Sequence, residues 1–439
     1  MRLFPILFLF GFFISCSSEE DGGDAPVFDP KVELAEFLPA LNEFGLPLGE
    51  DPLNWTDEEL HFLDKYADAH MLGLGESTHG TAEFFDAKFR MLRYMVEQHG
   101  FKGIAMEADF GESIYLNRLL ASGEIDKVAE VMQDKMLFWT WNNVETRRMI
   151  EWMVEYNEDK APSDRIHYVG VDCQSNVHNT VLLQEYIDTY DPGYGGEIWA
   201  ILNQIKTNSQ NRTELEPDLF NVLRSELDSV RLTLLENEQV YPDETSHQLY
   251  LHLIEVIRQV MIVEQSSFQN TTGENLRDKY MADNTQWYYN HLGRKGLVIW
   301  AHNFHVANDE SYRSMGRDLR RDLGDNYGII GFAFSTGSFR AVHKVGETWL
   351  GLKTLTIDQA PLTSSFNGKL HYADLEDYVI NMKDLLEDAA WNNYFREGIR
   401  MLSIGSTYLD SPDAHYRWID NEDFDEMIYI RSTRAASPF

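Results

Sequence analysis

The feature that most constrains the fold of this chain is a regular alternation of strand-like and helix-like segments. Short apolar runs rich in β-branched residues recur at 71–75, 103–106, 166–171, 296–301 and 327–334. Helical periodicity marks longer stretches between them, such as 82–97, 145–157 and 180–190. Buried parallel strands read as continuous apolar runs and are joined by helices. The pattern therefore predicts an α/β fold with a largely parallel central sheet flanked by helices.

The alternation stops between residues 192 and 292. Apolar residues recur there at steps of three and four, which indicates helices rather than strands. We therefore predict a helical insertion over 192–292 that could cover the ligand-binding edge of the sheet. The predicted catalytic core then has two parts, 46–191 and 293–439. The second part ends in a smaller C-terminal α/β part, with strand-like pieces at 401–405 and 427–430.

The N-terminus has the pattern of a bacterial secretion signal. Residues 3–14 form an apolar run that is too short to span a bilayer. Cys16 follows in a sequence similar to a bacterial lipobox, in which the cysteine is lipidated, and the acidic stretch SSEEDGGD comes next. We predict a signal peptide over 1–15, a lipidated Cys16 with a tether over 16–45, and anchoring to the outer membrane, where the tether could expose the protein at the surface. An ordinary cleaved signal peptide is the alternative.

The charge balance argues against some partners. The 37 basic and 72 acidic residues give a formal net charge of −35, which repels nucleic-acid phosphates and anionic lipid surfaces. After the N-terminus, no segment of the sequence is long and apolar enough to span a membrane. We therefore expect no nucleic-acid partner, and membrane contact through the lipid anchor only.

Ionisable and other polar side chains follow four of the predicted strands. Ligands of parallel α/β sheets bind beyond the carboxyl ends of the strands, so these side chains are candidates for one shared site. They are Glu76 and His79 after the first strand, Glu107 and Asp109 after the second, Asp172 and Gln174 after the third, and His302, Asn303 and His305 after the fourth. A site that combines histidines with carboxylates is suited to acid–base chemistry near neutral pH.

The hexapeptide GESTHG, residues 75–80, joins the first of these strands to a helix. Gly75 should let the chain leave the strand sharply, and Gly80 should give the backbone freedom before the helix. Thr78 and its neighbours can cap the helix, whose first N–H groups can face an anion. A nearby carboxylate can fix the tautomer of His79 and raise its basicity. A capped turn with satisfied polar groups and no function is the alternative.

A serine hydrolase elbow and a metal site are alternatives to acid–base chemistry at this turn. A serine hydrolase elbow requires G-x-S-x-G, but His79 stands where the second glycine belongs, so the serine of this turn is not expected to be a nucleophile. A metal site is a second alternative. His302 and His305 are separated by two residues and could ligate a metal ion together with Glu76 or Asp172.

Several segments together resemble the erythromycin esterase family of macrolide-ring-opening hydrolases and related proteins. In chain order they are GLGESTHGTAEFFDAKFRML, MEADF, GVDCQ, NLRDKYMADN, WAHNFHV and SMGRDL, with a weaker resemblance in FDEMIYI. The combination of GE-x-x-HG with AHN-x-H is distinctive. The resemblance implies an α/β core with a helical insertion, and hydrolysis of an ester or lactone without a cofactor or a required metal.

The resemblance also implies roles for particular residues. His79 would be the general base that activates water, with no covalent intermediate. Glu76 and Glu107 would orient the water or tune the histidines. His302 and His305 would complete the site by stabilising the oxyanion or protonating the leaving alkoxide.

Further residues are candidates for contacts with the substrate. The family often has a basic residue in the helix after the GE-x-x-HG turn, so either Lys88 or Arg90 would point into the cleft. Arg277, within NLRDKYMADN, would pair with a site carboxylate or form a purely structural ion pair. The remaining candidates for substrate binding are Asp109, Asp172 and Asn303.

The sequence leaves three functions open. The first is a hydrolase that cleaves a small-molecule ester or lactone with histidine-activated water, with macrolide ring opening as one candidate reaction. The second is a metal-dependent hydrolase at the same cleft. The third is a non-enzymatic surface lipoprotein that binds a glycan or another small molecule there.

Overall fold

A ten-stranded sheet organises the chain in this computed structural model, which describes residues 29–241, 243–268 and 273–439. The predicted signal peptide, the lipidated Cys16 and the beginning of the tether lie outside the described residues. The described residues form twelve strands, ten of which belong to this sheet. They are β1 (Leu46–Leu48), β2 (Met71–Leu74), β3 (Gly103–Asp109), β4 (His167–Asp172), β5 (Leu297–Trp300), β6 (Tyr327–Val345), β7 (Thr348–Ile357), β8 (Asp377–Asn381), β9 (Ile399–Leu402), β10 (Thr407–Leu409), β11 (Tyr416–Ile419) and β12 (Glu426–Thr433).

Helices flank this sheet along its whole length. They are α1 (Pro30–Glu33), α2 (Leu38–Phe44), α3 (Ala82–His99), α4 (Phe110–Ser122), α5 (Val128–Lys135), α6 (Val144–Asn157), α7 (Val177–Tyr190), α8 (Pro192–Asn211), α9 (Pro217–Glu236), α10 (Glu244–Phe268), α11 (Gly273–His291), α12 (Asn303–Val306), α13 (Met315–Leu323), α14 (Phe366–His371), α15 (Met382–Leu385) and α16 (Ala389–Glu397). Among the described residues, no helix has the length and apolar character needed to cross a membrane.

The strands of the main sheet are mostly parallel. Their order is β1-β8-β12-β6-β2-β5-β3-β4, with β7 and β10 also paired to β6. The strands from β12 to β4 in this order pair in parallel, whereas β1 and β8 form an antiparallel edge. A separate two-stranded sheet joins β9 and β11. The predicted α/β class, with its largely parallel sheet, is confirmed.

The two faces of the sheet bury two apolar clusters, because successive side chains of a strand point to opposite faces. In β5, Ile299 belongs to one cluster, and Val298 and Trp300 belong to the other. The Ile299 cluster takes in residues of α8 to α11, such as Leu202 and Ile257. The helices between residues 192 and 291 therefore cover one face of the sheet.

Two strands are longer than the sequence predicts. Strand β6 continues past Phe334 to Val345 and pairs with β7 as a hairpin, whose β7 side is mostly exposed. Exposed residues interrupt the apolar run there, so periodicity gave no signal. Strand β3 continues to Asp109, and its register with β4 shifts between Met106 and Asp109. Such an irregularity turns a side chain to a new direction at the end of a strand, and here it affects Glu107.

Candidate active site

A cavity of about 700 Å³ lies at the carboxyl ends of β2, β3 and β5. His79, Glu107, His302 and His305 all line it, and each is at most 8% exposed. These strands are neighbours in the sheet, in the order β2-β5-β3. Parallel pairing therefore brings side chains that are more than 200 residues apart in the sequence into one pocket.

The first part of the site is the Glu76 group, which consists of Glu76, His79, Lys88 and Trp300. The Glu76 carboxylate lies 2.6 Å from the Nδ1 atom of His79 and accepts hydrogen bonds from the Lys88 ammonium at 2.6 Å and the Trp300 indole at 2.8 Å. Glu76 and Lys88 are fully buried. Strand β2 supplies the carboxylate through the turn that follows it, helix α3 supplies the lysine, and β5 supplies the tryptophan.

Charge and burial oppose each other at Glu76. Burial alone would raise the pKa of this carboxyl, but the Lys88 ammonium and the contact with His79 bring it below its ordinary value. Burial lowers the pKa of Lys88 to about 8, although the neighbouring Glu76 favours the charged form. Glu76 is therefore an ionised acceptor with a fixed position.

This carboxylate sets the tautomer of His79. An ionised carboxylate only accepts hydrogen bonds, so the Nδ1 atom of His79 carries the proton and donates it to Glu76. Nε2 is then the ring nitrogen that remains for a molecule in the cavity. The His79 ring also packs edge-on against Trp141, with ring centroids 5.9 Å apart. His79 is thus oriented on two sides.

The glycines of the GESTHG turn are required by close packing. Neither Gly75 nor Gly80 has a positive φ, so the predicted conformational freedom is wrong. A Cβ atom on Gly75 would clash with the Asn303 side chain, and one on Gly80 would clash with the backbone of Arg340. The turn must pass directly beneath the segment that follows β5, and this contact brings Glu76 and His79 to the site.

The first turn of α3 does not face an anion. Its N-cap residue is Thr81, whose side chain makes no capping hydrogen bond, so the predicted role of Thr78 is wrong. The backbone N–H of Ala82 donates to the carbonyl of Arg434, and the backbone N–H of Arg434 donates to Glu83. The C-terminal segment therefore covers this helix end.

His302 lies between the other two histidines. Its ring centroid is 5.2 Å from that of His79 and 6.5 Å from that of His305. The backbone N–H of Phe304 donates to Nδ1 of His302, so Nε2 carries the proton and reaches Ser403 Oγ at 3.3 Å. Burial and the neighbouring His79 hold the pKa of His302 well below its ordinary value. His302 is therefore a neutral hydrogen-bond donor.

The second part of the site is the His305 group, which consists of His305, Asp278, Glu107 and Arg277. The Nδ1 atom of His305 lies 2.8 Å from Asp278, and its Nε2 atom lies 3.3 Å from Glu107. Arg277 forms a bidentate pair with Asp172 at 2.8 and 2.7 Å and donates to Glu107 at 2.8 Å. Arg277 thus joins Glu107, which lines the cavity, to the fully buried Asp172.

The carboxylates of this group favour the charged form of the histidine. Burial alone would lower the pKa of His305, but Asp278 and Glu107 raise it to about 10. Burial would raise the pKa of Glu107, but His305, His79 and Arg277 hold it well below its ordinary value. The two carboxylates therefore favour the imidazolium form of His305, and Glu107 is ionised. Nη1 of Arg277, which lies 3.2 Å from Nε2 of His305, opposes this charge.

None of the five residues predicted to bind substrate lines the cavity. Arg90 donates to the carbonyl of Trp55 and pairs with Asp57, away from the site. Lys88 lies beneath Glu76 and takes no part in the lining. The other three residues, Asp109, Asp172 and Asn303, are at most 1% exposed.

These three buried side chains have structural partners. Asp109 accepts from the backbone N–H of Gly111 at the start of α4, and burial with the nearby Asp172 raises its pKa to about 8. Asp172 holds Arg277. Asn303 exchanges hydrogen bonds with the backbone of Phe332 in β6. Because these partners belong to the surrounding fold, all three side chains support the site without lining the cavity.

The structure adds residues that sequence reasoning missed. Asp278 follows Arg277 in the segment NLRDKYMADN, where adjacency was an available signal. The loop at 403–406, between β9 and β10, overlaps the strand-like piece predicted at 401–405, and nothing in its sequence indicated a site. Its Ile404 backbone N–H donates to the Ser77 carbonyl, and the His79 backbone N–H donates to the Gly405 carbonyl. This loop therefore closes one wall of the cavity against the GESTHG turn.

Among the residues that the structure describes, no group of three or more His, Cys, Asp and Glu side chains is arranged to hold a metal ion.

Fold and site together define an α/β protein whose cavity pairs histidines with carboxylates for acid–base chemistry. The profile of the erythromycin esterase family matches residues 96–433, and the chain belongs to this family. Family membership points to a hydrolase. The matched range begins after the GESTHG turn, whereas Glu107, Arg277, His302 and His305 lie inside it.

Related sequences are distant. The chain is 24% identical to erythromycin esterase type II of Escherichia coli over 316 residues, which is 65% of this chain and 74% of that protein. It is 23% identical to the putative hydrolase YbfO of Bacillus subtilis (strain 168), over 63% of this chain and 65% of that protein.

Solved structures share the fold. A Bacillus cereus protein superposes with a TM-score of 0.78 at 19% identity, covering 92% of this chain and 99% of that one. A succinoglycan biosynthesis protein gives a TM-score of 0.77 at 23% identity, over 92% and 98%. A mutant erythromycin esterase in its open conformation gives 0.63 at 17% identity, over 88% and 97%. At these identities, the similarity shows the fold alone.

Proposed function

We propose that this protein hydrolyses an ester or lactone with a water molecule activated by His79, without a covalent intermediate. The observation that carries the proposal is the 2.6 Å contact between His79 Nδ1 and the buried Glu76 carboxylate. It leaves Nε2 of a cavity-lining imidazole to accept a proton, which is what a general base requires.

In the first step, Nε2 of His79 takes a proton from water, and the oxygen of that water forms a bond to the carbonyl carbon of the ester. Negative charge develops on the carbonyl oxygen. Nε2–H of His302 is a neutral donor in the same cavity and is suited to this oxyanion. Ser403 shares that proton and positions the ring.

In the second step, the bond between the carbonyl carbon and the alkoxide oxygen breaks. The alkoxide takes a proton from His305, which holds one at neutral pH because Asp278 and Glu107 surround it. His79 then returns the proton that it took from water to the His305 group through the solvent in the cavity. Water is consumed, and one acid and one alcohol are released.

The test is hydrolysis of a panel of 4-nitrophenyl esters, lactones and macrolides in ¹⁸O-labelled water, with mass spectrometry of the products. We expect one ¹⁸O atom in the acid product and no initial burst of alcohol release, because no acyl-enzyme forms. A burst, or no turnover of any compound by the folded protein, would contradict the proposal. Macrolides belong in the panel because relatives bear the name erythromycin esterase.

The proposed location is the outer membrane of the bacterial cell envelope, with lipid attached at Cys16. It is supported by the apolar run before this cysteine and the acidic stretch after it. Expression in a Gram-negative host with labelled palmitate tests this location. We expect label and detergent-phase partitioning for the natural chain and neither for Cys16→Ser. Equal partitioning of the two would contradict it.

A further inference from the structure

The charge of the cavity is opposite to that of the chain. The whole sequence has 72 acidic and 37 basic residues. Among the described residues that line the cavity, however, Arg212, Arg277 and Arg417 stand against a single carboxylate, Glu107. A strongly acidic protein thus concentrates positive charge in the pocket that holds its candidate active site.

Arg417 and Arg212 keep their positive charge available to a ligand, whereas Arg277 does not. Arg277 is bound to Asp172 and Glu107, so the group as a whole is compensated. Arg417 is held by neutral groups, since its Nη1 donates to the carbonyls of Ala414 and Tyr416 at 2.9 and 3.3 Å. Carbonyl acceptors fix the guanidinium without cancelling its positive charge.

Arg212 acts on the acidic residue Glu264, whose own charge is weakened. It follows α8 as the helix C-cap in a left-handed conformation, with φ of 47°. Its charge acts on Glu264, whose pKa burial raises to about 7, so that this carboxyl is partly protonated at neutral pH. Glu264 also accepts from Ser209 at 2.6 Å. The guanidinium of Arg212 therefore keeps most of its attraction for an anion in the cavity.

The cavity lining also has an aromatic part. Phe138, Trp139 and Trp141 line the cavity together with Phe304. The guanidinium carbon of Arg340 lies 5.7 Å from the ring centroid of Trp139 and adds positive charge there. Such a wall accepts the apolar body of a substrate, and the arginines remain for a polar end.

We propose that the ester cleaved in this cavity carries an anionic group, a carboxylate or a phosphate, and that Arg212 and Arg417 bind it. The guanidinium fork matches the oxygen geometry of both anions. The inference rests on the proposed ester hydrolysis. It goes further because it names the charge of the substrate and two residues outside the Glu76 and His305 groups.

Matched esters test the preference for an anion. They are 4-nitrophenyl pentanoate, the 4-nitrophenyl monoester of glutaric acid, and 4-nitrophenyl 4-phosphonooxybutanoate. We expect kcat/KM to be at least tenfold higher for one or both anionic esters than for the neutral one, mainly through KM, and the ratio to fall as salt is raised. The two anionic esters distinguish carboxylate from phosphate. A ratio near one for both would overturn the proposal.

Two variants test the assignment to these arginines. We expect Arg212→Gln and Arg417→Gln each to lower the anionic-to-neutral ratio several-fold, and the double variant to lower it about tenfold. Arg396→Gln is the matched control, because Arg396 lies in the last turn of α16 and outside the cavity lining. It should leave the ratio unchanged. Equal ratios in all variants would overturn the assignment.

A binding measurement separates this inference from the proposed reaction. If no ester is turned over, the hydrolase proposal fails, and calorimetry with the unreactive 4-nitroanilides of glutaric and pentanoic acid decides anion recognition alone. Tighter binding of the glutaric compound, lost in the double variant, would support the inference. Equal binding of the two anilides would overturn it.

Discussion

The Glu76 group and the His305 group show how one side-chain type is given two different tasks in one cavity. In the Glu76 group, a single carboxylate contacts His79 and shares its charge with the buried Lys88. In the His305 group, two carboxylates contact His305 from both ring nitrogens. The number of carboxylates around each imidazole, and the cation that competes for them, differ between the two groups.

The difference teaches that surrounding charge would assign the acid and the base of the proposed mechanism. His305 holds its proton to a pH of about 10 because Asp278 and Glu107 favour the imidazolium. The carboxylate beside His79 instead fixes one ring nitrogen and leaves the other to accept a proton. His302 lies between them as a neutral donor. Environments that push pKa values apart are the usual way in which a site separates acid from base.

The largest effect should come from removing His79, the proposed base of the Glu76 group. We expect His79→Ala to lower kcat for any ester substrate by about 10³-fold, in the range found for general bases. His61→Ala is the matched control, since His61 is exposed and away from the cavity, and it should retain full activity. Steady-state kinetics with circular dichroism on both variants measures this. Retained activity in a folded His79→Ala protein would remove His79 from the mechanism.

Lys88→Met should make the two groups more alike by removing the cation that competes with His79 for Glu76. We expect the free energy of unfolding to fall by about 3 kcal/mol, because one partner of a buried ion pair is lost. Urea unfolding measures this effect.

Lys127→Met is the control for this variant, because Lys127 and Glu130 form an exposed pair. Its unfolding midpoint should not change. If Lys88→Met also leaves the midpoint unchanged, the ion pair with Glu76 does not stabilise the Glu76 group.

Asp278→Asn should reduce the difference between the two groups by removing a carboxylate from the His305 group. Without this carboxylate, the pKa of His305 falls from about 10, so the imidazolium loses its proton at a lower pH. We expect kcat to fall about tenfold at pH 9 and much less at pH 6, where His305 is still protonated. A pH–rate profile checks this. A uniform loss at every pH would mean that Asp278 acts only through packing.

Trp300→Phe should have the smallest effect on the comparison. It removes one hydrogen bond to Glu76 and keeps the ring against Phe85. We expect a loss of about 1 kcal/mol in unfolding free energy and a two- to threefold change in kcat, because Lys88 and His79 still hold the carboxylate. A loss as large as that of Lys88→Met would show that the indole, rather than the ammonium, fixes Glu76.

Much of the fold and part of the site could be predicted because the signals are local. Apolar runs and helical periodicity lie within a few residues of one another, and they gave β2, β4, β5 and helix α3 close to their observed bounds. The rule that parallel strands present their carboxyl ends at one edge then led to Glu76, His79, Glu107, His302 and His305.

The hairpin of β6 and β7 could not be predicted in this way. Its strands are stabilised by pairing with each other rather than by burial, so they carry no continuous apolar run. The strand-end rule also selected Asp109, Asp172 and Asn303 as site residues. Their side chains instead make structural contacts with other parts of the fold. Position at a strand end does not say whether a polar group faces the cavity or the layer beneath it.

The sequence by itself determined the sheet, the helices and the strand ends that carry histidines and carboxylates, because spacing along the chain encodes these features directly. Tertiary structure alone decided which carboxylate meets which histidine. Lys88 and Arg90 are both basic, but two residues of a helix differ by about 200° in direction, and only the packing of α3 places Lys88 against Glu76. The charge around each imidazole depends on such contacts between distant segments, and no local pattern records them.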